Sequence, residues 1–301
     1  MAYLTRPPHP ALASMIESLG VQHDPVSAVD HPPTLILPTG TCELVFHYGD
    51  PFVQIASDGP RREPEAYIAT QRITPLQARA TGSTGVVVVT LQPWAAPVLL
   101  QAPASSLQGT TIDLAHFFAA ADLRELCERI ATAADAAQRI DLVEAFLLAR
   151  MRGSGDALVQ EAVLRIARIP SHAPSSIRSR VLSPIHAHAP AAARIGALAT
   201  TLGISRRQLD RRFAASVGMA PKSFARVLRF QAALGLLRAG ATAVDAACSA
   251  GYHDQPHMQR DFVSLAGHTP RAMIERQGTT ALMAHFNRRD LSRFYNTMYL
   301  H

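Results

Sequence analysis

Two kinds of hydrophobic pattern divide the chain. Between residues 32 and 91 short apolar runs and alternating positions are broken by turn residues, and beyond Pro93 apolar residues recur three and four apart. The run Thr34-Leu35-Ile36-Leu37 is stopped by Pro38-Thr39-Gly40. Residues 42 to 48 alternate, with Cys42, Leu44, Phe46 and Tyr48 on one face and Glu43, Val45 and His47 on the other. Period two is the mark of a half-buried strand. Further strands are predicted at 52–56, 66–72, 76–81 and 85–91, with Gly49-Asp50-Pro51 as a turn. Ahead of them the proline-rich start carries a short amphipathic candidate at 11–19. Helical spacing follows at 94–100, 114–118, 121–133, 140–151 and 156–167. Strands followed by helices predict an α+β N-terminal domain over residues 1–168, a small antiparallel β core with helices after it.

The C-terminal third repeats itself. Arg211, Phe213, Gly218 and Pro221 recur as Arg260, Phe262, Gly267 and Pro270 at an offset of 49, whereas Ala199 and Gly203 recur as Ala247 and Gly251 at 48. The second copy therefore has one extra residue in its turn. In the first copy Ile195, Leu198, Ala199 and Leu202 form a helical stripe. Gly203 suits the left-handed turn after it, and Ser205 suits the N-cap of the next helix. That helix buries Leu209 and Phe213 and turns Arg206, Arg207, Asp210 and Arg211 outward. In the second copy Val244, Ala247 and Cys248 lie on the first helix, with Cys248 on its buried side. Gly251-Tyr252-His253 is the turn, Asp254 the N-cap, and Met258 and Phe262 the core pair, with Gln255, Gln259 and Arg260 facing out. Phe224, Val227, Leu228, Leu234 and Leu237 make 223–238 a connecting helix. Each copy is a helix-turn-helix pattern, so the fold class is an α+β domain plus an all-α domain of two such units joined by a long helix.

Arginine can pair with guanine edges and glutamine with adenine edges, which makes these outward faces candidates for a DNA major groove. The alternative from the same residues is a helical protein-interaction module whose arginines are a solvated face. The strings Gly203-Ile204-Ser205-Arg206-Arg207-Gln208-Leu209 and Gly251-Tyr252-His253-Asp254-Gln255-Pro256-His257 resemble the DNA-binding domain of AraC-type transcription regulators over about residues 176–276. The resemblance implies two recognition helices entering successive major grooves of double-stranded DNA. Base contacts then fall on Arg207, Asp210 and Arg211 in the first helix, and on Gln255, Pro256, Gln259 and Arg260 in the second. Phosphate contacts are expected from Arg206, Arg212 and Arg226. Asp210 is unusual on such a face; it either accepts from a cytosine amino group or restrains Arg207 and Arg211. Pro256 is tolerable in a first helical turn.

Charge agrees with this division. Up to residue 170, 12 arginines face 17 acids, a balance of −5; from 171 onward, 17 basic residues face six acids, a balance of +11. A polyanion partner is thus expected on the C-terminal side only. No apolar run reaches the ~18–20 residues of a membrane span. The N-terminus lacks a secretion signal, so a cytoplasmic protein without a membrane partner is expected. Cys42, Cys127 and Cys248 are too scattered for a disulfide framework or zinc site. The pair His186 and His188 reads as solvated linker within 169–189, a stretch that also begins the first helix of the DNA-binding domain. No metal or other cofactor is expected. The tail, 279–301, has an aromatic and arginine pattern that suits either a packed helix or a disordered end.

The stretch from Leu37-Pro38-Thr39-Gly40 to Gln92-Pro93-Trp94 resembles the N-terminal sensor domain of one branch of the same regulators. This resemblance implies a small-molecule effector, and Glu43, Phe46, His47, Tyr48 and Trp94 are the residue types that line such pockets. Phe46 and Trp94 equally suit an ordinary core. An enzyme reading, a DNA-repair or alkyl-transfer protein with Cys42 as nucleophile beside His47, lacks the cysteine cluster that would hold a metal. No phosphate loop or nucleophile elbow occurs either. The expectation is therefore a non-enzymatic regulator, with RNA polymerase as a partner if it activates. A homodimer is allowed but not required, since one chain carries both reading helices.

Overall fold

The computed structural model describes residues 2–24, 33–107, 109, 111–167 and 191–275. The first helix expected at 176–186, the histidine pair and the tail lie outside the described residues.

Ten strands form the N-terminal core: β1 (Ala2–Arg6), β2 (Ile16–Asp24), β3 (Thr34–Ile36), β4 (Glu43–His47), β5 (Val53–Ala56), β6 (Gly59–Arg62), β7 (Ala66–Ala69), β8 (Leu76–Arg79), β9 (Thr84–Leu91) and β10 (Thr111–Asp113). They pair antiparallel in two sheets, one of order β1-β2-β9-β4-β7-β10 and one of order β3-β8-β5-β6. Alternation along β4 sets the layering. Leu44 and Phe46, both fully buried, face the helices, whereas Val45 joins Phe52, Tyr67, Ala78 and Val86 in a cluster beside the smaller sheet. The predicted split of this strand into two faces therefore holds.

Several elements differ from the sequence expectation, including β1 and β10, for which no strand is predicted. The amphipathic stretch at 11–19 is one turn of 3-10 helix, Pro10–Leu12, followed by β2, a central strand paired with β9 from Ile16–Leu91 to Asp24–Thr84. The valine run of β9 supplies a β-branched partner along this strand, and such tertiary pairing outweighs the local period. The short β6, Gly59-Pro60-Arg61-Arg62, is not among the strands predicted from sequence. It forms because it lies at a sheet edge, where proline and charge are tolerated.

Four helices follow, α1 (Ala95–Leu99), α2 (Ala120–Thr132), α3 (Ala136–Arg150) and α4 (Ala157–Ala167), of which α2 and α3 pack on the larger sheet and α1 and α4 on the C-terminal helices. In α2, Leu123, Leu126, Cys127 and Ile130 are buried at the i, i+3, i+4, i+7 spacing of an amphipathic helix, and Val159, Ala162, Val163 and Ile166 repeat that spacing in α4. The C-terminal region is all helix: α5 (Ala191–Thr201), α6 (Arg206–Val217), α7 (Pro221–Arg238), α8 (Ala243–Ser249), α9 (Gln255–Ala266) and α10 (Pro270–Glu275). It is not detached from the rest. One continuous hydrophobic cluster includes Phe46 of β4, Leu99 of α1, Val163 of α4, and Phe213, Val217 and Phe224 of α6 and α7.

Candidate nucleic-acid interface

Each recognition helix is held by a cap and a seat. Gly203 has φ +69° and Gly251 φ +78°, left-handed values that a side chain would strain, and so each first helix can stop and the chain can turn. Ser205 caps α6 reciprocally: its hydroxyl accepts from the Gln208 amide at 3.2 Å, and the Gln208 side-chain oxygen accepts from the Ser205 amide at 2.9 Å. Asp254 caps α9 by accepting from the His257 amide at 2.7 Å. Bonds from the His253 ring and the His257 amide hold its carboxyl below the usual range. Both N-caps are those predicted.

The repeat-equivalent Phe213 and Phe262 each sit on a phenylalanine of α7. Phe213 of α6 packs on Phe224 with ring centroids 5.5 Å apart, and Phe262 of α9 packs on Phe230 at 4.8 Å. Phe224 and Phe230 are six residues apart, which on a helix is about 9 Å along the axis and about 240° around it. One rigid α7 therefore presents the two reading helices from different flanks. Outward, Arg207, Gln208 and Arg211 of α6, and Pro256, Gln259 and Arg260 of α9, are exposed; Asp210 and Gln255 are half-buried. In α8 the buried residues are Ala246, Ala247 and Ser249. Cys248 is exposed and Val244 is 63% exposed, so the predicted buried side for Cys248 is wrong by one step of helix rotation.

Ion pairs change the expected roles of several charged residues. Asp210 restrains Arg206, four residues before it, at 2.9 Å, rather than Arg207 or Arg211. Arg226, expected on phosphate, pairs with Asp261 of α9 at 2.6 Å, and Arg229 lies 3.8 Å from the same carboxylate. Asp261 is 6% exposed, so this pair locks α9 to α7. Arg212, also expected on phosphate, makes a two-pronged pair with Asp156: Nε donates to Oδ2 and Nη2 to Oδ1, both at 2.8 Å. Asp156 directly precedes α4 and accepts from the amides of Leu158 and Val159 at 3.0 and 3.3 Å. Burial pushes its carboxyl up, but the bonds from Arg212, Val159 and Leu158 outweigh this and hold it below the ordinary value. All three arginines expected on phosphate are thus engaged within the protein. No local pattern signals the Arg212 contact, because its partner lies 56 residues earlier.

The five candidate effector residues are not one site. A cavity of about 50 Å³ lies between the two sheets, and of the five only Glu43 lines it. His47 sits behind the wall, fully buried, with its Nε2 3.2 Å from Glu63. Phe46 is on the opposite face of β4, in the core under the helices, as the alternation dictates. Tyr48 stacks on His23 with the Arg139 guanidinium 4.4 Å from its ring centre, and Trp94 donates to the Ser14 carbonyl at 3.0 Å. Gln54, Glu63, Tyr67, Arg72 and Thr111, absent from the expected set, also line the cavity. Gln54 comes from β5 of the smaller sheet, Tyr67 and Thr111 from β7 and β10 of the larger one, and Glu63 and Arg72 from the connections beside them, all brought to β4 by nonlocal folding.

Cys42 is buried, and burial pushes its thiol up to about 12, which leaves no thiolate for alkyl transfer. Among the described residues no group of three or more His, Cys, Asp or Glu side chains could hold a metal. No described helix is long and apolar enough to cross a membrane.

Fold and interface together define a two-part protein: a double-sheet domain with covering helices, and a duplicated helix-turn-helix region. Residues 198–276 match a family model described as a helix-turn-helix domain, and residues 4–113 match one described as a domain of unknown function. With its duplicated unit, the matched C-terminal region is a helix-turn-helix domain. Solved structures similar to the chain include ToxT from Vibrio cholerae with a bound unsaturated fatty acid, 11% identical, covering 92% of this chain and 96% of that one at a TM-score of 0.43. An AraC-type regulator from Chromobacterium violaceum is 23% identical, covering 40% of this chain and 90% of that one at 0.31. The C-terminal domain of AraT, a response regulator from Geobacillus stearothermophilus, is 18% identical over 40% and 87% at 0.32. Among curated proteins none matches the chain.

Proposed function

We propose that the protein is a sequence-specific transcription regulator that reads double-stranded DNA with α6 and α9 in successive major grooves, under the control of a small molecule bound in its N-terminal domain. One observation carries the DNA half of this reading: two capped helices, seated on one α7 through equivalent phenylalanines, each turn exposed arginine or glutamine outward. Arg207 and Arg211 read bases from α6, and Gln255, Pro256, Gln259 and Arg260 read from α9. Asp210 can do so only after releasing Arg206. Arg206, Arg212 and Arg226 reach phosphates only by exchanging their present carboxylate partners. The inter-sheet cavity supports the effector half. A homodimer and a contact with RNA polymerase would add to this activity in the cytoplasm without altering how one chain reads DNA.

Selection of bound duplexes from a random pool, with full-length protein at two salt concentrations, tests the reading. Two short boxes ~10–11 base pairs apart are expected. Binding that yields no motif and only collapses as salt rises would refute it, leaving charge attraction alone.

A further inference from the structure

We infer that Val263 of α9 reads the 5-methyl group of a thymine, so that the box beneath α9 contains a thymine recognised by its methyl and the box beneath α6 does not. This adds a specificity-determining residue to the DNA function proposed above and rests on it.

Exposure singles the residue out. Of the five large apolar side chains that the described residues leave exposed, Leu4, Ile73, Leu148, Val244 and Val263, the last is the one on a reading helix, and it is 51% exposed. A lone exposed valine needs no explanation on an ordinary surface. Val263 does not stand alone. At about 100° per residue along α9, it lies about 20° from Pro256, with Gln259 about 40° to one side and Arg260 about 60° to the other. All four are exposed, whereas Met258, Phe262 and Leu265 are buried. The outward face therefore carries an apolar line, Pro256 to Val263, between two side chains suited to base edges.

The spacing fits a helix lying along a groove. Positions 256, 259, 260 and 263 stand at i, i+3, i+4 and i+7, the interval at which a recognition helix in the major groove places its base contacts. From the first to the last the helix rises about 10.5 Å, the height of about three stacked base pairs. Gln259 and Arg260 can exchange hydrogen bonds with base edges. Valine can donate and accept none, and the one apolar group on a major-groove edge is the thymine methyl.

The first copy lacks this line. At the offset of 49, Pro256, Gln259, Arg260 and Val263 correspond to Arg207, Asp210, Arg211 and Ala214. Arg207, Arg211 and Ala214 are exposed, and Asp210 is tied to Arg206. Two arginines thus flank a single methyl group where α9 has a proline ring and an isopropyl group. The face of α6 suits guanine edges, and that of α9 suits a mixed box in which a thymine stands near the adenine or guanine taken by Gln259 and Arg260.

The test uses the full-length protein and the duplex recovered by the selection described above. Arg260→Ala marks the box beneath α9 by the position it relaxes. Each thymine of both boxes is then replaced in turn by deoxyuridine, which loses the methyl and keeps every hydrogen-bonding group, and affinity is measured by fluorescence anisotropy. At one thymine of the α9 box the replacement should weaken wild type about fourfold, the effect of burying about one methyl group. Val263→Ala should bind the thymine duplex about fourfold more weakly and be indifferent to the replacement, whereas Val263→Ile should keep the sensitivity. Selection repeated with Val263→Ala should relax the thymine and leave the positions read by Gln259 and Arg260. If no thymine of the α9 box is sensitive, or if sensitivity survives Val263→Ala, the methyl contact is overturned and the two-box reading stands. An equal loss on all duplexes in Val263→Ala, with or without the methyl, assigns the side chain to another contact and also overturns it. Equal sensitivity in the α6 box overturns the contrast between the copies. A selection that yields no motif refutes the DNA reading itself, and the methyl contact with it.

Discussion

Replacing Asp156 with serine should strengthen DNA binding without loosening α4. The aspartate does two jobs: it accepts from the Leu158 and Val159 amides at the start of the helix, and it holds both prongs of the Arg212 guanidinium. Serine is as good an N-cap as aspartate, so the helix keeps its cap, whereas alanine would cost about 1 kcal/mol there and confuse the result. The freed Arg212 then gains one phosphate, and each neutralised phosphate steepens the dependence of log affinity on log salt by about 0.9. Worked through, one added contact tightens binding to non-specific duplex about fourfold at 200 mM salt and about fifteenfold at 50 mM. Anisotropy titrations of wild type, Asp156→Ser and Arg212→Ala across that range measure it. The double variant should behave like Arg212→Ala. If Asp156→Ser leaves both affinity and slope unchanged, Arg212 does not reach the backbone even when released, and its assignment to phosphate is wrong.

Other outcomes follow from the same ion pairs and from the reading faces. Asp261→Asn strips the partner from Arg229, whose side chain is only 15% exposed, and from the more exposed Arg226, so urea unfolding should show a loss of about 2–3 kcal/mol. Arg207→Ala, Arg211→Ala and Arg260→Ala should each cost about 1–3 kcal/mol on the selected site and relax one base position; an equal loss on all sequences would place that arginine on phosphate. The Asp156 carboxyl titrates below its ordinary value, so its pair with Arg212 contributes fully above pH 3.8 and is lost as pH falls below that through the depressed value. Energy transfer between dyes on α4 and α6 should therefore hold steady from neutral pH down to that point and fall only beneath it, and a fall near neutrality would show that another group governs the contact.

What sequence could reveal depended on how local the cause was. The caps, the left-handed glycines and the Phe213 and Phe262 seats are set by residues a few positions apart, and all were legible. So was the two-faced character of β4, because alternation is local too. The Arg212–Asp156 and Gln231–Pro38 contacts join residues 56 and 193 apart, and no pattern marks them. The cavity was half legible for the same reason: Glu43 lies on a strand whose alternation is local, while Arg72, Glu63 and Gln54 meet it only through the nonlocal packing of one sheet on the other. Phe46 and Tyr48 were drawn into the candidate pocket by residue type, although their parity already placed them on the face away from Glu43. The helix expected at 11–19 failed because a nine-residue window of mixed polarity does not distinguish a periodic helix from a strand buried between two partners.

The repeat also explains how the two reading helices differ. Position 212 in the first copy corresponds to 261 in the second, and both make the ion pair that fixes the helix in place. In the second copy it is an aspartate, and its partners Arg226 and Arg229 lie on α7, so α9 is locked from within the C-terminal region. In the first copy it is an arginine, and its partner Asp156 lies at the start of α4, so α6 is locked from outside, with Val163 of α4 and Leu99 of α1 in the same hydrophobic cluster as Phe213. Two copies of one pattern have thus come to answer to different parts of the chain. The N-terminal domain thus meets α6 directly through Asp156, and it also bears on α7, where Gln231 donates to the Pro38 carbonyl and Gly40 lies against the Phe224 ring, so α9 meets it through α7 and Leu37.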